Sequence, residues 1–168
     1  ADTFRGGKGT DTVDYSNATS GLTVYFVNNT AAGYAFGDTF EKMENLIGSS
    51  FADQLQAGDG GMAFGGAGND TLYGASYTTG DDAGTIRGDA GIDTLNMAYG
   101  NTKAWIQNGQ GYDVIKYFDE GADMLFIDLS EFGLGDSFSS DEIRNSNSGT
   151  PSGANAQFIY EDDIGYLW

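Results

Sequence analysis

Large apolar side chains in the first hundred residues tend to stand alone between polar neighbours: Phe4 in "DTFR", Val13 in "DTVD", Leu55 in "DQLQ", Leu72 in "DTLY" and Leu95 in "DTLN". A polar-apolar-polar triplet predicts a very short β-strand, because side chains alternate between faces and only the middle one enters a core. One stretch alternates for longer. Leu22, Val24 and Phe26 predict a β-hairpin or strand extension with turn residues at Asn28 and Asn29. Met43, Leu46 and Ile47 in "FEKMENLIG" are expected in the core. After Gly100 the side chains become bulkier, with Trp105, Ile106, Val114, Ile115, Tyr117 and Phe118 ahead of "DMLFIDLSEFGLGD". Residues 135–157 are rich in Ser, Asn and Gly and predict a loop, with a short helix at "SSDEIRN" capped by Ser140, Glu142 lying in its first turn. The closing "QFIYEDDIGYLW" predicts a hairpin with Phe158 and Tyr160 facing Tyr166 and Trp168.

The triplets sit on a repeat, G-G-x-G-x-D-x-U-x with U apolar. "GGKGTDTVD" (6–14) and "GGAGNDTLY" (65–73) fit it fully, and "GDAGIDTLN" (88–96) carries Asp89 at the second position. "GSSFADQLQ" (48–56) keeps only Gly48, Asp53 and Leu55. "AGDGGMAF" reads as a shortened unit, "GASYTTGDDAGTIR" as one lengthened before Ile86, and "ADTFR" as the last five positions of a unit whose beginning precedes Ala1. A fixed short period is the mark of a solenoid, in which each unit buries its apolar face only by stacking on the next. One turn plus one strand makes half a coil, so two units close a coil of a flattened parallel β-helix. Turns on one edge then come from alternate units, which puts Asp53, Asp70 and Asp93 in one column.

Glycine tolerates positive φ, so the Gly-rich stretch can fold into a tight turn with its carbonyls converging. Converging carbonyls repel unless a cation sits among them. An aspartate adds a carboxylate, and an all-oxygen set of about six to eight ligands suits Ca²⁺ better than Mg²⁺, which holds its waters.

Charge strengthens this reading. The chain has 25 acidic and 7 basic side chains, a formal net charge of −18, 27 Gly, and neither Cys nor His. Self-repulsion on that scale opposes compaction, and a bound divalent cation opposes it in turn. The acidity speaks against nucleic acid and anionic membranes as partners. No apolar run approaches the roughly 20 residues needed to span a bilayer. Without His or Cys, zinc chemistry and imidazole-assisted hydrolysis lack their usual groups, so a noncatalytic chain is expected.

The repeats resemble those of the RTX (repeats-in-toxin, hemolysin-type) calcium-binding β-roll family of secreted bacterial proteins. The resemblance implies an all-β parallel β-roll at 1–100, with a hairpin-like insertion at 15–47, and a C-terminal capping β region at 101–168. The cap follows a pattern filled here by Asp113, Ile115, Phe118, Gly121, Asp123, Leu125, Asp128, Leu129 and Ser130. It further implies ions held between stacked turns by sixth-position aspartates and by carbonyls of positions two and four. The best-matched site uses Gly66, Gly68 and Asp70 with Asp89, Gly91 and Asp93. A second shares Asp70 with Asp53, where Ser49 and Phe51 replace glycines. Gly7, Gly9 and Asp11 belong to a site completed before Ala1 or in the following segment, while the edge around Asp59 and Asp82 is irregular. The function implied is folding outside the cell on calcium binding, in support of type I secretion of a larger protein. The competing class is a calcium-dependent adhesin, polysaccharide-binding module, or surface-layer or filament subunit.

Overall fold

A computed structural model describes residues 1–74, 84–97, 100–107, 112–119 and 121–127 in full, and the backbone of 143–145, 158–161 and 166–167. The fold is all-β. In chain order the strands are β1 (Thr3–Arg5), β2 (Thr12–Asp14), β3 (Leu22–Tyr25), β4 (Thr30–Gly33), β5 (Thr39–Glu41), β6 (Asn45–Ile47), β7 (Gln54–Gln56), β8 (Met62–Ala67) and β9 (Thr71–Tyr73). They continue as β10 (Gly84–Ala90), β11 (Thr94–Asn96), β12 (Thr102–Ile106), β13 (Val114–Lys116), β14 (Met124–Ile127), β15 (Ile143–Asn145), β16 (Phe158–Glu161) and β17 (Tyr166–Leu167).

From β6 to β14 successive strands alternate between two six-stranded sheets, ordered β14-β12-β10-β8-β6-β2 and β13-β11-β9-β7-β3-β4. All pairings in both sheets are parallel except β3 with β4. This is the two-sheet roll that the repeat predicts: each coil lays one strand in each sheet, and the next coil stacks in register. Both sheets run through residue 100, since β12 and β13 pair with β10 and β11.

Register makes the core two columns of single side chains. Val13, Leu46, Ala63, Ile86, Ala104 and Leu125 align in one sheet. Val24, Leu55, Leu72, Leu95 and Ile115 align in the other. Leu46, Leu55, Leu72 and Leu95 are completely buried. Burying one such side chain contributes roughly 1.5–3 kcal/mol, so a core that takes one side chain from most strands is thin for its length.

The N-terminal coils are packed differently. Phe4 stacks on Phe40 with ring centroids 5.6 Å apart, Phe26 leans on Phe40 at 4.8 Å, and Tyr15 meets Phe4 edge-on. The Tyr15 hydroxyl donates to Asp38 Oδ2 (2.7 Å), and the Asp2 amide donates to Asp38 Oδ1 (2.7 Å). The expected hairpin is β3–β4, turning through a 3₁₀ segment at Phe26–Asn28 and a left-handed Asn29. Asn29 Oδ1 also accepts from the Phe40 amide (2.8 Å), tying the hairpin to the aromatic cluster.

Three expectations need amendment. Ile47 is half-buried on the outer face, because β6 turns Leu46 inward and the alternation leaves its neighbours out. The helix expected at "SSDEIRN" is not formed at 143–145, which instead make β15, parallel to β16; the Ser140 cap and Glu142 lie outside the described residues. β16 and β17 do form an antiparallel hairpin, but Tyr160 stands opposite Leu167 and Glu161 opposite Tyr166. Asp128, Leu129 and Ser130 also fall outside the described residues.

Candidate metal centre

Each strand of the β13-β11-β9-β7 stack is preceded by an aspartate: Asp53 before β7, Asp70 before β9, Asp93 before β11 and Asp113 before β13. They form a ladder. The Asp53 amide donates to Asp70 Oδ1 (2.8 Å), the Asp70 amide to Asp93 Oδ1 (2.7 Å), and the Asp93 amide to Asp113 Oδ1 (3.2 Å). At the near end, the Leu22 amide donates to Asp53 Oδ1 (2.9 Å). One oxygen of each carboxylate therefore fastens the coil before it.

The second oxygen folds back over the first glycine of its own unit. A Cβ at Gly65 would collide with Asp70 Oδ2 and with the Gly88 carbonyl of the next coil, and one at Gly88 would collide with Asp93 Oδ2. The first glycine is thus required by space. The later ones are required by backbone conformation, with φ of 101° at Gly66, 126° at Gly68 and 145° at Gly91. Stacked turns approach closely here, since a Cβ at Gly91 would strike the Gly68 carbonyl oxygen.

Asp70 and Asp93 are 2% and 0% exposed, yet Oδ2 of each has no hydrogen-bond partner. An orphaned carboxylate oxygen in a buried place is unfavourable, and protonation or a cation relieves it. Burial accordingly pushes the Asp70 carboxyl from 3.8 up to about 7, with the Asp93 and Asp53 charges adding to it, although the Asp53 amide pulls it down. Burial raises Asp93 as well, against the donors it receives from Asp70 and Asp113. Asp113 rises to about 7, first from burial and then from the Asp93 charge.

Asp89 carries the second position of its unit at φ 68°, and its carboxylate is paired with Arg87 Nε at 2.6 Å. Arg87 engages one oxygen of that side chain, and the Asp89 backbone carbonyl stands at the second position of the turn. Among the described residues no three acidic side chains converge as a metal cluster. A cation in these turns would draw on main-chain carbonyls beside carboxylates, an all-oxygen set of hard donors that fits Ca²⁺.

Gly7, Gly9 and Asp11 lie apart from this column, on the edge of the other sheet ahead of β2. Their neighbour is the segment before β6. The Asp11 amide donates to Glu44 Oε2 (2.8 Å), and the Asp11 carbonyl accepts from the amides of Glu44 and Asn45. A Cβ at Gly6 would collide with the Lys42 carbonyl and would lie 2.6 Å from Asp11 Oδ2, an oxygen also buried without a donor. Gly7 and Gly9 have φ of 147° and 106°. Asp59 is exposed, and Asp82 lies outside the described residues.

The repeat pattern overlooks several participants. Asp113 and Asp123 each start a D-x-U triplet, "DVI" and "DML", so the strand half of the signal was present without the glycines. Asp123 Oδ1 accepts from the Thr102 amide (2.9 Å) and Oδ2 from the Asp119 amide (2.9 Å), an echo of the ladder on the other sheet. Glu44 has no sequence signal, because its role depends on which segment stacks beside Asp11. No protein-family model matches this chain, and no curated protein matches it.

Proposed function

We propose that this chain is a noncatalytic, calcium-binding β-roll module of a larger secreted bacterial protein, folding outside the cell when Ca²⁺ fills its turns and so supporting type I secretion. The observation that carries the reading is the pair of buried, donorless oxygens at Asp70 and Asp93, set between stacked glycine turns. The residues that would hold the ion are Gly66, Gly68, Asp70, Asp89, Gly91 and Asp93, the glycines and Asp89 through carbonyls. The ion would supply positive charge where burial disfavours carboxylate ionisation. Because the unfolded chain offers no such turns, binding becomes folding free energy, about 2.7 kcal/mol when free ion exceeds Kd by a hundredfold. The extracellular setting rests on the repeat resemblance and on the net charge of −18, which resists folding where calcium is scarce.

Circular dichroism during a calcium titration of the chelated chain, with magnesium as control, is the direct test. A cooperative gain of β signal specific to calcium is expected; a β spectrum indifferent to chelation overturns the proposal.

A second reading, adhesion to polysaccharide, draws on one surface. Phe64, Arg87, Trp105 and Phe126 occupy one outward row across β8, β10, β12 and β14. The Arg87 guanidinium lies 4.4 Å from the Phe64 ring centroid, and Trp105 meets Phe126 edge-on at 5.7 Å. An exposed aromatic face suits stacking against a sugar ring, and Phe126 is 59% exposed. Glycan-array binding that is lost on chelation and restored by calcium supports this reading, and blank arrays remove it.

A further inference from the structure

The degenerate unit at Gly48–Gln56 solves the buried-carboxylate problem by other means. Asp53 is 2% exposed, as buried as Asp70, and its backbone enters the same ladder. Its oxygens nevertheless all have donors. The Ser49 amide donates to Asp53 Oδ2 (2.6 Å), the Ser49 hydroxyl lies 2.9 Å from Oδ2 and 3.0 Å from Oδ1, and Oδ1 also accepts from the Leu22 amide. The Ser49 hydroxyl in turn accepts from the Phe51 amide (3.1 Å), which fixes the turn. In the two regular units of the same column, glycine or Arg87-paired Asp89 occupies Ser49's position, and Oδ2 is orphaned. Ser49 and Phe51 also lack the positive φ seen at Gly66, Gly68, Asp89 and Gly91, so the turn does not present its carbonyls in the same way.

We infer that Ser49 takes the place of a cation at Asp53, so that this turn binds no calcium and is closed by protein hydrogen bonds alone. This inference rests on the calcium-binding reading of Asp70 and Asp93. It divides the aspartate column into one ion-free rung beside the N-terminal aromatic cluster and ion-dependent rungs beyond it. Two carboxylates that look equivalent in the repeat then have opposite requirements, because a single serine hydroxyl and amide satisfy one of them.

The test is to count calcium ions on the full-length folded chain by native mass spectrometry for wild type, Asp53→Asn, Asp70→Asn and Ser49→Gly/Phe51→Gly. Asp53→Asn keeps an oxygen for the Leu22 amide and is expected to carry the wild-type number of ions, whereas Asp70→Asn carries at least one fewer. The double variant restores both repeat glycines and is expected to carry one more. Loss of an ion in Asp53→Asn overturns the inference, as does a double variant with the wild-type count. A wild type that binds no calcium is a separate outcome, which overturns the proposed function and this inference with it.

Discussion

The first fifty-odd residues and the repeats from Gly58 onward share one architecture and are held together by different physics. The N-terminal coils pack Phe4, Tyr15, Phe26 and Phe40 into a cluster, and the polar groups there find protein partners: Asp38 takes Tyr15 and Asp2, and Asp53 takes Ser49 and Leu22. From β8 to β11 each strand buries one aliphatic side chain, and carboxylate oxygens at Asp70 and Asp93 are buried without donors. A repeat can thus keep its shape while exchanging apolar packing for a demand on solvent composition. Asp11 marks the limit of the contrast, since its Oδ2 is orphaned among the N-terminal coils.

Chelation should break the contrast most widely. With calcium removed, the amides of Thr71–Tyr73 and Thr94–Asn96 are expected to lose hydrogen-exchange protection by orders of magnitude, while Tyr15 and Phe40 keep more of theirs; equal loss in both regions would show that one cooperative unit spans them. Phe40→Ala attacks the other side, removing a ring that is 9% exposed. A loss of about 3–5 kcal/mol in urea unfolding is expected, present with or without calcium. Gly65→Ala puts a methyl group against Asp70 Oδ2 and the Gly88 carbonyl. Overpacking of this kind costs about 1–3 kcal/mol, which is expected to raise the calcium midpoint roughly tenfold and to leave N-terminal protection unchanged.

Acidity offers a narrower probe of the calcium-free chain. The folded-state carboxyl of Asp70 is raised from 3.8 to about 7, so the folded form holds a proton that the unfolded form has released between those values. The contribution is full below the unfolded value and disappears as pH rises through the folded one. Repeat-region stability without calcium should therefore fall between about pH 4 and 7, a trend that saturating calcium abolishes. The smallest expected effect is that of Tyr15→Phe, which withdraws one donor from Asp38. About 1–2 kcal/mol of calcium-independent stability should go with it, read from the same urea transitions.

Much of the architecture was legible because the repeat states it twice, as glycine spacing and as single apolar residues. Val13, Leu55, Leu72 and Leu95 are each buried at the centre of a short strand, and Asp53, Asp70 and Asp93 do fall in one column. What stayed hidden depends on contacts between units. Nothing local to Asp11 names Glu44, which stands 33 positions away in sequence. Ser49 reads as a missing glycine until its hydroxyl is seen on Asp53. Many residues of the capping region implied for 101–168 lie outside the described ones. Among the described ones, Tyr117, Phe118 and Phe126 are exposed, while β12–β14 continue the two sheets.

The aspartate ladder gives the roll a direction. Each amide in the series from Leu22 to Asp93 is fastened by the carboxylate of the coil that follows it. The return stitch comes from the strand after each aspartate: the Thr71, Thr94 and Val114 amides donate to the carbonyls of Asp53, Asp70 and Asp93, so adjacent coils hold each other as knitted rows do. Losing a coil at either end breaks one rung and leaves the others closed. Mechanical pulling should therefore open rungs one at a time from whichever end bears the force.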